Sequence, residues 1–375
     1  MKKVFRLILI NFAVLATLLF LINILCLILI KSEDGNPYPY KNARRSELNN
    51  NEKDSAYNRL VYDEFYKLTT IYQPYVVWSR NPFKGQTTTI DSTGDRVTPN
   101  NPINSSDIET RVHFFGGSTM WGTGVDDLGT IPSFYQQKNP NHLSLNHGES
   151  GFVSRQNLAR LINLVNQDID IDRVVFYDGF NDILTLCRSE VDINSHDRAV
   201  QINQYINDAQ EIKSSKHLIM KVLDVVFVRN IRGYFLSKKS STLSPNEFYS
   251  CCSDSMKVQQ VANTLVNNWR IAHAICTARN IEFHAILQPS AYVGNPTFDP
   301  RFDQSRNDCI PDVSKKIYSL VRNDLKLESW FHDFSNILND GNAYYMDACH
   351  ISDLGNKVVA DSITALFGKT SINEN

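Results

Sequence analysis

The stretch His113-Phe-Phe-Gly-Gly-Ser-Thr-Met-Trp-Gly122 decides how the rest of the chain is interpreted, because an apolar strand here runs directly into a serine framed by glycines. Gly116, Gly117 and Gly122 allow the backbone to turn sharply around Ser118. Such a turn presents a hydroxyl at the carboxyl end of a strand, where a helix can begin. The hydroxyl is a nucleophile if a base lies nearby. The same residues also suit an ordinary turn with a helix N-cap, so the interpretation depends on motifs further along the chain.

From residue 110 onward, short apolar strands alternate with helical stretches, a pattern that predicts a parallel sheet covered by helices. The predicted strands cover residues 111–115, 143–146, 172–177, 281–287 and 330–334. The predicted helices cover residues 131–137, 154–167, 258–279, 313–325 and 354–366. The expected fold class is therefore α/β with a central parallel sheet.

Polar motifs follow several of these predicted strands, and the carboxyl ends of strands are where open α/β sheets bind their ligands. There are four such motifs: Ser118, Asn146-His-Gly-Glu-Ser-Gly151, Gly179-Phe-Asn-Asp182 and Asp347-Ala-Cys-His350. Because the carboxyl ends of parallel strands share one edge of the sheet, we expect the four motifs to meet there.

The chemistry of the four motifs is complementary. His350 is suited to accept the proton of Ser118, and Asp347, three residues earlier, is suited to orient the imidazole and stabilise its charged form. The oxyanion that forms on attack at a carbonyl needs fixed donors. The backbone N–H groups of Ser118 and Gly151 and the side-chain amide of Asn181 are the candidates. Together these residues predict a complete acyl-transfer site.

The motifs resemble the sequence blocks of the SGNH hydrolases, also called GDSL-type esterases, and they occur in that family's order. The matching stretches are Phe115-Gly-Gly-Ser118, Glu149-Ser-Gly151, Gly179-Phe-Asn-Asp182 and Asp347-Ala-Cys-His350, with Gly117 where the family name carries Asp. The resemblance covers about residues 110–367. It implies a three-layer α/β/α domain with Ser118 as nucleophile, Gly151 and Asn181 in the oxyanion hole, and Asp347 and His350 completing the triad.

The N-terminal region predicts a membrane segment. Leu7–Ile30 contains 24 residues without a charge, and a helix of that length is roughly 36 Å long. Lys2, Lys3 and Arg6 precede the run, so the positive-inside rule predicts a cytoplasmic N-terminus and a catalytic domain on the extracytoplasmic side, periplasmic or extracellular. A cleaved signal peptide is the alternative, but the apolar run is longer than a typical h-region and no small-x-small cleavage site follows it. We therefore expect residues 1–31 to form an uncleaved signal-anchor.

The remaining segments are assigned by composition. Residues 32–56 are expected to form a polar tether, and residues 57–109 a segment of helix and hairpins that covers a sheet edge rather than binding substrate. An insertion of about residues 187–256 interrupts the 110–367 domain. Its apolar stretch Leu218–Phe235 is interpreted as a packed amphipathic helix, with a lid or a membrane-surface segment as alternatives. Residues 368–375 form a C-terminal tail.

The cysteines fit an exported domain without fixing their pairing. Besides Cys26 in the apolar run, the chain has six cysteines, Cys187, Cys251, Cys252, Cys276, Cys309 and Cys349. An even number permits disulfides in an oxidising compartment, with fifteen possible full pairings. The alternative is that some are core thiols, for which Cys276 on an apolar helix face is the first candidate.

The net charge and the remaining histidines, cysteines and acidic residues predict no nucleic-acid, metal or cofactor site. The net charge of −2, with charges mixed along the chain, provides no basic surface for nucleic acid. The chain has no Cys-x-x-Cys pair, and the spacing of His142, His147 and Glu149 matches no common ligand pattern, so no metal or other cofactor is predicted. Asp178 and Asp182 are expected to hold the Asn181 loop by hydrogen bonds.

The sequence predicts a membrane-anchored serine esterase that removes acetyl or other short acyl groups from an extracytoplasmic glycan or lipid. An O-acyltransferase that modifies a cell-surface polysaccharide is the first alternative, because the same acyl-enzyme chemistry serves a sugar hydroxyl as acceptor. The 187–256 insertion is where an acceptor pocket would be built. A glycan-binding protein that keeps the fold without the activity is the second alternative.

Overall fold

The computed structural model describes residues 2–34, 46–49, 53–102, 104–211, 223–231, 234, 245–299 and 309–370. The chain folds as two compact units. One combines residues 1–41 with residues 198–247, and the other combines residues 42–197 with residues 248–375. Residues 35–45 and 50–52 of the predicted tether lie outside the described residues, as do residues 218–222, 232–233 and 235 of the 218–235 stretch.

The strands and helices are numbered here in chain order. The strands are β1 (Thr70–Gln73), β2 (Val77–Arg80), β3 (Phe83–Lys84), β4 (Thr89–Ile90), β5 (Thr110–Gly116), β6 (His142–Asn146), β7 (Arg173–Asp178), β8 (Glu282–Leu287) and β9 (Phe331–Asp333). The helices are α1 (Lys2–Asp34), α2 (Ser55–Lys67), α3 (Ser118–Trp121), α4 (Ile131–Lys138), α5 (Ser154–Asn166), α6 (Phe180–Leu186), α7 (Ala199–Glu211), α8 (Pro245–Phe248), α9 (Ser255–Ala278), α10 (Ile310–Leu325) and α11 (Asp353–Thr370).

The central sheet is parallel throughout and has the strand order β6-β5-β7-β8-β9. The chain runs from β5 outward to β6 and then crosses back past β5 to β7, after which β8 and β9 follow in order on that far side. The resulting topological switch point lies between β5 and β7, where α/β sheets of this order bind ligands. The predicted α/β fold with a central parallel sheet is confirmed.

Two helical layers cover the sheet because successive side chains of each strand point to opposite faces. Val112 and Phe114 of β5 pack in one core with Tyr135 of α4 and with Val359 and Ile363 of α11. Phe115, the next residue, contacts Phe176 of β7 on the other face. Helix α9 packs against both α5 and α10 in that second layer. The arrangement has three layers, as the resemblance implies.

The segment before the sheet forms two antiparallel hairpins, β1 with β2 and β3 with β4. Helix α2, in the same segment, ends at Lys67, because Thr70 and Ile71 pair with Arg80 and Ser79. Arg96 forms a bridge to Asn146 at the end of β6, so this segment covers the sheet edge. It also contacts the loop after β6, which sequence analysis did not anticipate.

The unit that combines residues 1–41 and 198–247 contains α1. The span Lys2–Leu29 has a mean hydropathy of 2.9 over its most apolar window and is long and apolar enough to cross a membrane. Asn23 of α1 is buried and donates to the carbonyls of Val225 and Val226 at 3.1 Å and 3.0 Å, while the Asn230 N–H donates to its side-chain oxygen. Residues 224–228 form a π-helical turn. The side-chain amide of Asn23 donates hydrogen bonds to carbonyls of this turn. The described part of the predicted 218–235 helix therefore packs against α1.

Two disulfides, Cys187–Cys251 and Cys252–Cys309, join elements of the larger unit. Cys187 lies at the end of α6 and Cys309 immediately before α10, so the adjacent Cys251 and Cys252 tie both helices to one turn. Among the described residues, Cys26, Cys276 and Cys349 form no disulfide. The interpretation of Cys276 as a core thiol is confirmed, because its side chain is fully buried.

Candidate active site

Three predicted site residues, Ser118, His350 and Asp347, lie in hydrogen-bond contact in the described structure. His350 Nε2 lies 2.7 Å from Ser118 Oγ, and His350 Nδ1 lies 2.7 Å from Asp347 Oδ2 and 2.9 Å from Asp347 Oδ1. A carboxylate can only accept hydrogen bonds, so the Nδ1 beside it carries the proton. Nε2 is then left as an acceptor for the serine hydroxyl. The three side chains thus have the connectivity of a nucleophile, a base and a group that orients the base.

The loop before α11 fixes Asp347 and His350 relative to each other. Asp347 Oδ1 accepts the backbone N–H groups of Cys349 at 3.0 Å and His350 at 2.8 Å. Two further hydrogen bonds join Ser290 and Ala291, which follow β8, to the carbonyl of Ala348. Because the loop is held both internally and by its neighbour, the carboxylate cannot rotate away from the imidazole without losing several hydrogen bonds.

The electrostatic surroundings of His350 favour its protonation. Burial alone would lower the pKa of His350, but the charge of Asp347 and the contacts with Asp347 and Cys349 raise the pKa well above its ordinary value. The Asp347 carboxylate therefore stabilises the imidazolium that forms when His350 accepts a proton.

Ser118 begins α3 directly after β5, and its neighbour Gly117 leaves room for the side chain of Asn181. A Cβ at Gly117 would lie 2.2 Å from Asn181 Nδ2. The Asn181 amide donates one hydrogen to the Phe152 carbonyl at 2.9 Å, and because a primary amide carries two hydrogens, the second remains for a ligand. The glycine at 117 is thus what brings the predicted oxyanion donor beside the nucleophile.

Gly151 lies in a tight turn that begins at Glu149. Its φ of +81° is strained for any residue with a Cβ, and the Phe152 N–H closes the turn on the Glu149 carbonyl at 3.1 Å. The Glu149 carboxylate accepts the Ser150 N–H at 2.7 Å and Arg80 Nε at 2.9 Å. Burial raises the pKa of Glu149 although the Arg80 guanidinium opposes that shift. A buried ion pair therefore holds the turn that carries Gly151.

Arg80 belongs to β2 of the segment before the sheet, and its role was missed by sequence analysis. Its guanidinium lies over the rings of Phe65 and Trp121, 5.3 Å and 5.5 Å from their centres. The only sequence signal for such a residue is an arginine at the end of a short apolar strand. That signal does not reveal the partner.

The histidines set aside in the sequence occupy structural positions. His113 Nδ1 lies 2.9 Å from His147 Nε2, and His147 Nδ1 lies 2.9 Å from Asp95 Oδ2. The other oxygen of Asp95, Oδ1, pairs with Arg160. This buried chain joins the hairpin segment to β5 and to the loop after β6. Burial lowers the pKa of His113 to about 3, so that ring stays neutral.

Asp178 and Asp182, on either side of Asn181, bind neighbouring groups as predicted. Asp178 accepts from Asn157 at 2.6 Å and from Trp269 at 3.0 Å, and Asp182 accepts from the Ser154 hydroxyl at 2.6 Å. Burial raises the pKa of both carboxyls. These hydrogen bonds fix the β7–α6 loop, which is a structural role.

Fold and site together define an α/β protein with a Ser-His-Asp arrangement at the switch point of its sheet. No family model matches the sequence, and no curated protein matches it. Among solved structures, the chain is similar to a member of the lipolytic G-D-S-L family from Veillonella parvula, with 13% identity, 69% of this chain and 98% of that chain covered, and a TM-score of 0.39. It is also similar to a GDSL-like lipase from Bacteroides thetaiotaomicron, with 16% identity, coverages of 73% and 92%, and a TM-score of 0.34.

A carbohydrate acetylesterase from Sinorhizobium meliloti is similar as well, with 13% identity, coverages of 69% and 100%, and a TM-score of 0.36. The chemistry that the site of this chain can perform follows from the positions of its own side chains.

Proposed function

We propose that this protein is a membrane-anchored, extracytoplasmic serine esterase that hydrolyses short acyl esters, acetyl esters first, on a glycan or lipid. The observation that carries the proposal is the continuous contact from Ser118 Oγ through the His350 imidazole to the Asp347 carboxylate, 2.7 Å at each step. A serine bonded to a histidine that is itself oriented by a carboxylate is the arrangement that activates a hydroxyl as a nucleophile.

The first half of the reaction forms an acyl-enzyme. Ser118 Oγ bonds to the ester carbonyl carbon while its proton passes to His350 Nε2, and the carbonyl π electrons move to the oxygen. Asp347 stabilises the imidazolium that results. The C–O bond to the alcohol then breaks, and the leaving oxygen takes the proton from Nε2.

The second half releases the acid. Water attacks the acyl carbon and gives a proton to His350. The bond between the acyl carbon and Ser118 Oγ then breaks, and His350 returns the proton to Oγ. In both halves the charge that develops on the carbonyl oxygen is stabilised by the N–H groups of Ser118 and Gly151 and the second hydrogen of the Asn181 amide. The domain needs no metal or organic cofactor for these steps.

The membrane part of the proposal rests on α1. Its charge-free span and the preceding Lys2, Lys3 and Arg6 support a single pass with the N-terminus in the cytoplasm. The esterase domain then works on the outer side, where the two disulfides of the larger unit persist.

The test is hydrolysis of p-nitrophenyl esters of increasing chain length by the full-length protein in detergent. We expect the acetyl ester to give the highest kcat/KM and Ser118→Ala to lower it by on the order of 10⁴ or more. Ser106→Ala, which changes an exposed serine on a surface turn, is the matched control and should retain full activity. Equal rates for Ser118→Ala and the unaltered protein would refute the mechanism.

A further inference from the structure

One side chain beside the Ser-His-Asp arrangement takes no part in the esterase steps. Cys349 is buried, belongs to neither disulfide, and lies between Asp347 and His350 in the loop before α11. Its sulfur is 3.7 Å from His350 Nδ1. One ligand atom each from Asp347, Cys349 and His350 lie within 4.8 Å of one another. A thiol, an imidazole and a carboxylate thus converge on one point.

The spacing of these atoms suits a tetrahedral metal ion. Two ligands at about 2.3 Å (S) and about 2.0 Å (N) from one tetrahedral Zn²⁺ lie about 3.5 Å apart, close to the observed 3.7 Å between Cys349 Sγ and His350 Nδ1. The Asp347 carboxylate is at hydrogen-bond distance from Nδ1, 2.7 Å. It would need to retreat by roughly half an ångström to become the third ligand, with a water as the fourth.

The geometry points to an inhibitory Zn²⁺ site formed by Asp347, Cys349 and His350. On binding, Zn–S, Zn–N and Zn–O bonds form, the thiol proton leaves to solvent, and the imidazole proton moves through solvent from Nδ1 to Nε2. Nε2 then carries a hydrogen and cannot accept the proton of Ser118. The metal thereby holds the base in the tautomer that is inactive in a triad, while the nucleophile itself remains in place.

The inhibitory effect rests on the proposed esterase function, but metal binding does not, so the first test measures binding alone. Co²⁺ replaces Zn²⁺ as the probe, because Zn²⁺ has a filled d shell and no visible spectrum. Full-length protein in detergent is titrated with Co²⁺ and its thiolate-to-cobalt absorption is recorded. We expect bands in the unaltered protein that one equivalent of Zn²⁺ removes.

Two cysteine variants make this test specific. Cys349→Ala should lose the bands, and Cys276→Ala, which removes a buried thiol of α9 in the core, should keep them. Absence of thiolate bands from the unaltered protein, or their retention in Cys349→Ala, would overturn the proposal whether or not the protein hydrolyses esters.

The second test measures inhibition. Each variant is compared with its own metal-free rate, so a change in basal activity does not affect the result. We expect micromolar Zn²⁺ to inhibit the unaltered protein and Cys276→Ala, EDTA to restore the rate, and Cys349→Ala to need at least tenfold more Zn²⁺ for the same inhibition. Equal sensitivity of Cys349→Ala would show that the thiol is not a ligand. If no metal-free sample hydrolyses esters but the cobalt bands are present, the esterase function would be wrong and the metal site would stand.

Discussion

Gly117 shows how a single residue sets the geometry of the candidate site. The position has no Cβ, and one placed there would lie 2.2 Å from Asn181 Nδ2 and 3.4 Å from the Phe152 carbonyl that this amide binds. The glycine at this position therefore has a local cause in this chain. A side chain at 117 would compete with Asn181 for the same space.

We expect Gly117→Ala to lower kcat for p-nitrophenyl acetate by about 10²- to 10³-fold, the usual effect of losing one oxyanion donor. Asn181→Ala should have a similar effect. Because both changes remove the same donor, the double variant should lose much less than the product of the two single losses. If the loss of kcat in the double variant equals the product of the two single losses, Gly117 does not act through Asn181.

The sequence predicted that Ser118, Asp347 and His350 act together, because a nucleophile, a base and a carboxylate in such motifs leave few alternative interpretations, and the structure brings the three side chains into contact. It did not reveal that Cys349 faces His350 Nδ1. That contact depends on the turn of the loop, which Asp347 closes through hydrogen bonds to two backbone N–H groups. A side chain adjacent to a motif residue can face either way, and only the fold decides.

At the scale of elements, the ion pair of Arg80 and Glu149 connects a surface hairpin to the site. Arg80 on β2 is 7% exposed and Glu149 is 1% exposed, so neither charge is satisfied by water if the other is removed. The pair holds the turn that carries Gly151. The hairpin segment thus both covers the sheet edge and supports the predicted oxyanion loop.

Arg80→Ala should lower the free energy of unfolding by about 3–5 kcal/mol, because it leaves a carboxylate buried without its cation. The control is Arg270→Ala, which removes an exposed pair with Asp324 and should cost at most about 1 kcal/mol. Thermal melting of both variants in detergent measures the difference. Similar melting temperatures for the two would show that the buried pair contributes little.

The disulfides act on elements in the same unit. Loops of 64 and 57 residues are closed by Cys187–Cys251 and Cys252–Cys309, and the chain-entropy model gives each a contribution of about 4 kcal/mol. We expect a reducing agent to lower the melting temperature of the unaltered protein markedly. In the Cys252→Ser/Cys309→Ser variant, which keeps only one of the two disulfides, reduction should lower the melting temperature by less. A melting temperature that reduction leaves unchanged would contradict this role.

Periodicity was sufficient to predict most strands and helices of the sheet domain, because buried parallel strands such as β7 and β8 are continuous apolar runs. The two-residue strands β3 and β4 have no such signal, and they form only because the rest of the hairpin segment aligns them. Disulfide pairing also depends on where α6 and α10 come to lie. The sequence therefore left all fifteen pairings of six cysteines open.

The proposed membrane anchor α1 would set the side of the membrane on which the sheet domain works. The chain contains a single glycosylation sequon, Asn104-Ser-Ser, and Asn104 is exposed before β5. It therefore reports on the side of the membrane that the sheet domain occupies. Cotranslational insertion into microsomes should give one glycosylated species that keeps its full polypeptide length after deglycosylation and is absent in Asn104→Gln. An unglycosylated product, or a shortened one, would contradict the topology or the uncleaved anchor.

Covalent labelling by a fluorophosphonate probe in the full-length protein, with mass spectrometry identifying the modified residue, measures most directly whether Ser118 is activated. We expect a single adduct on Ser118, lost in Ser118→Ala and strongly reduced in His350→Ala, because the hydroxyl reacts only when the imidazole accepts its proton. An adduct on another serine, or no adduct in a protein that melts cooperatively, would show that the contact between Ser118, His350 and Asp347 does not activate the serine.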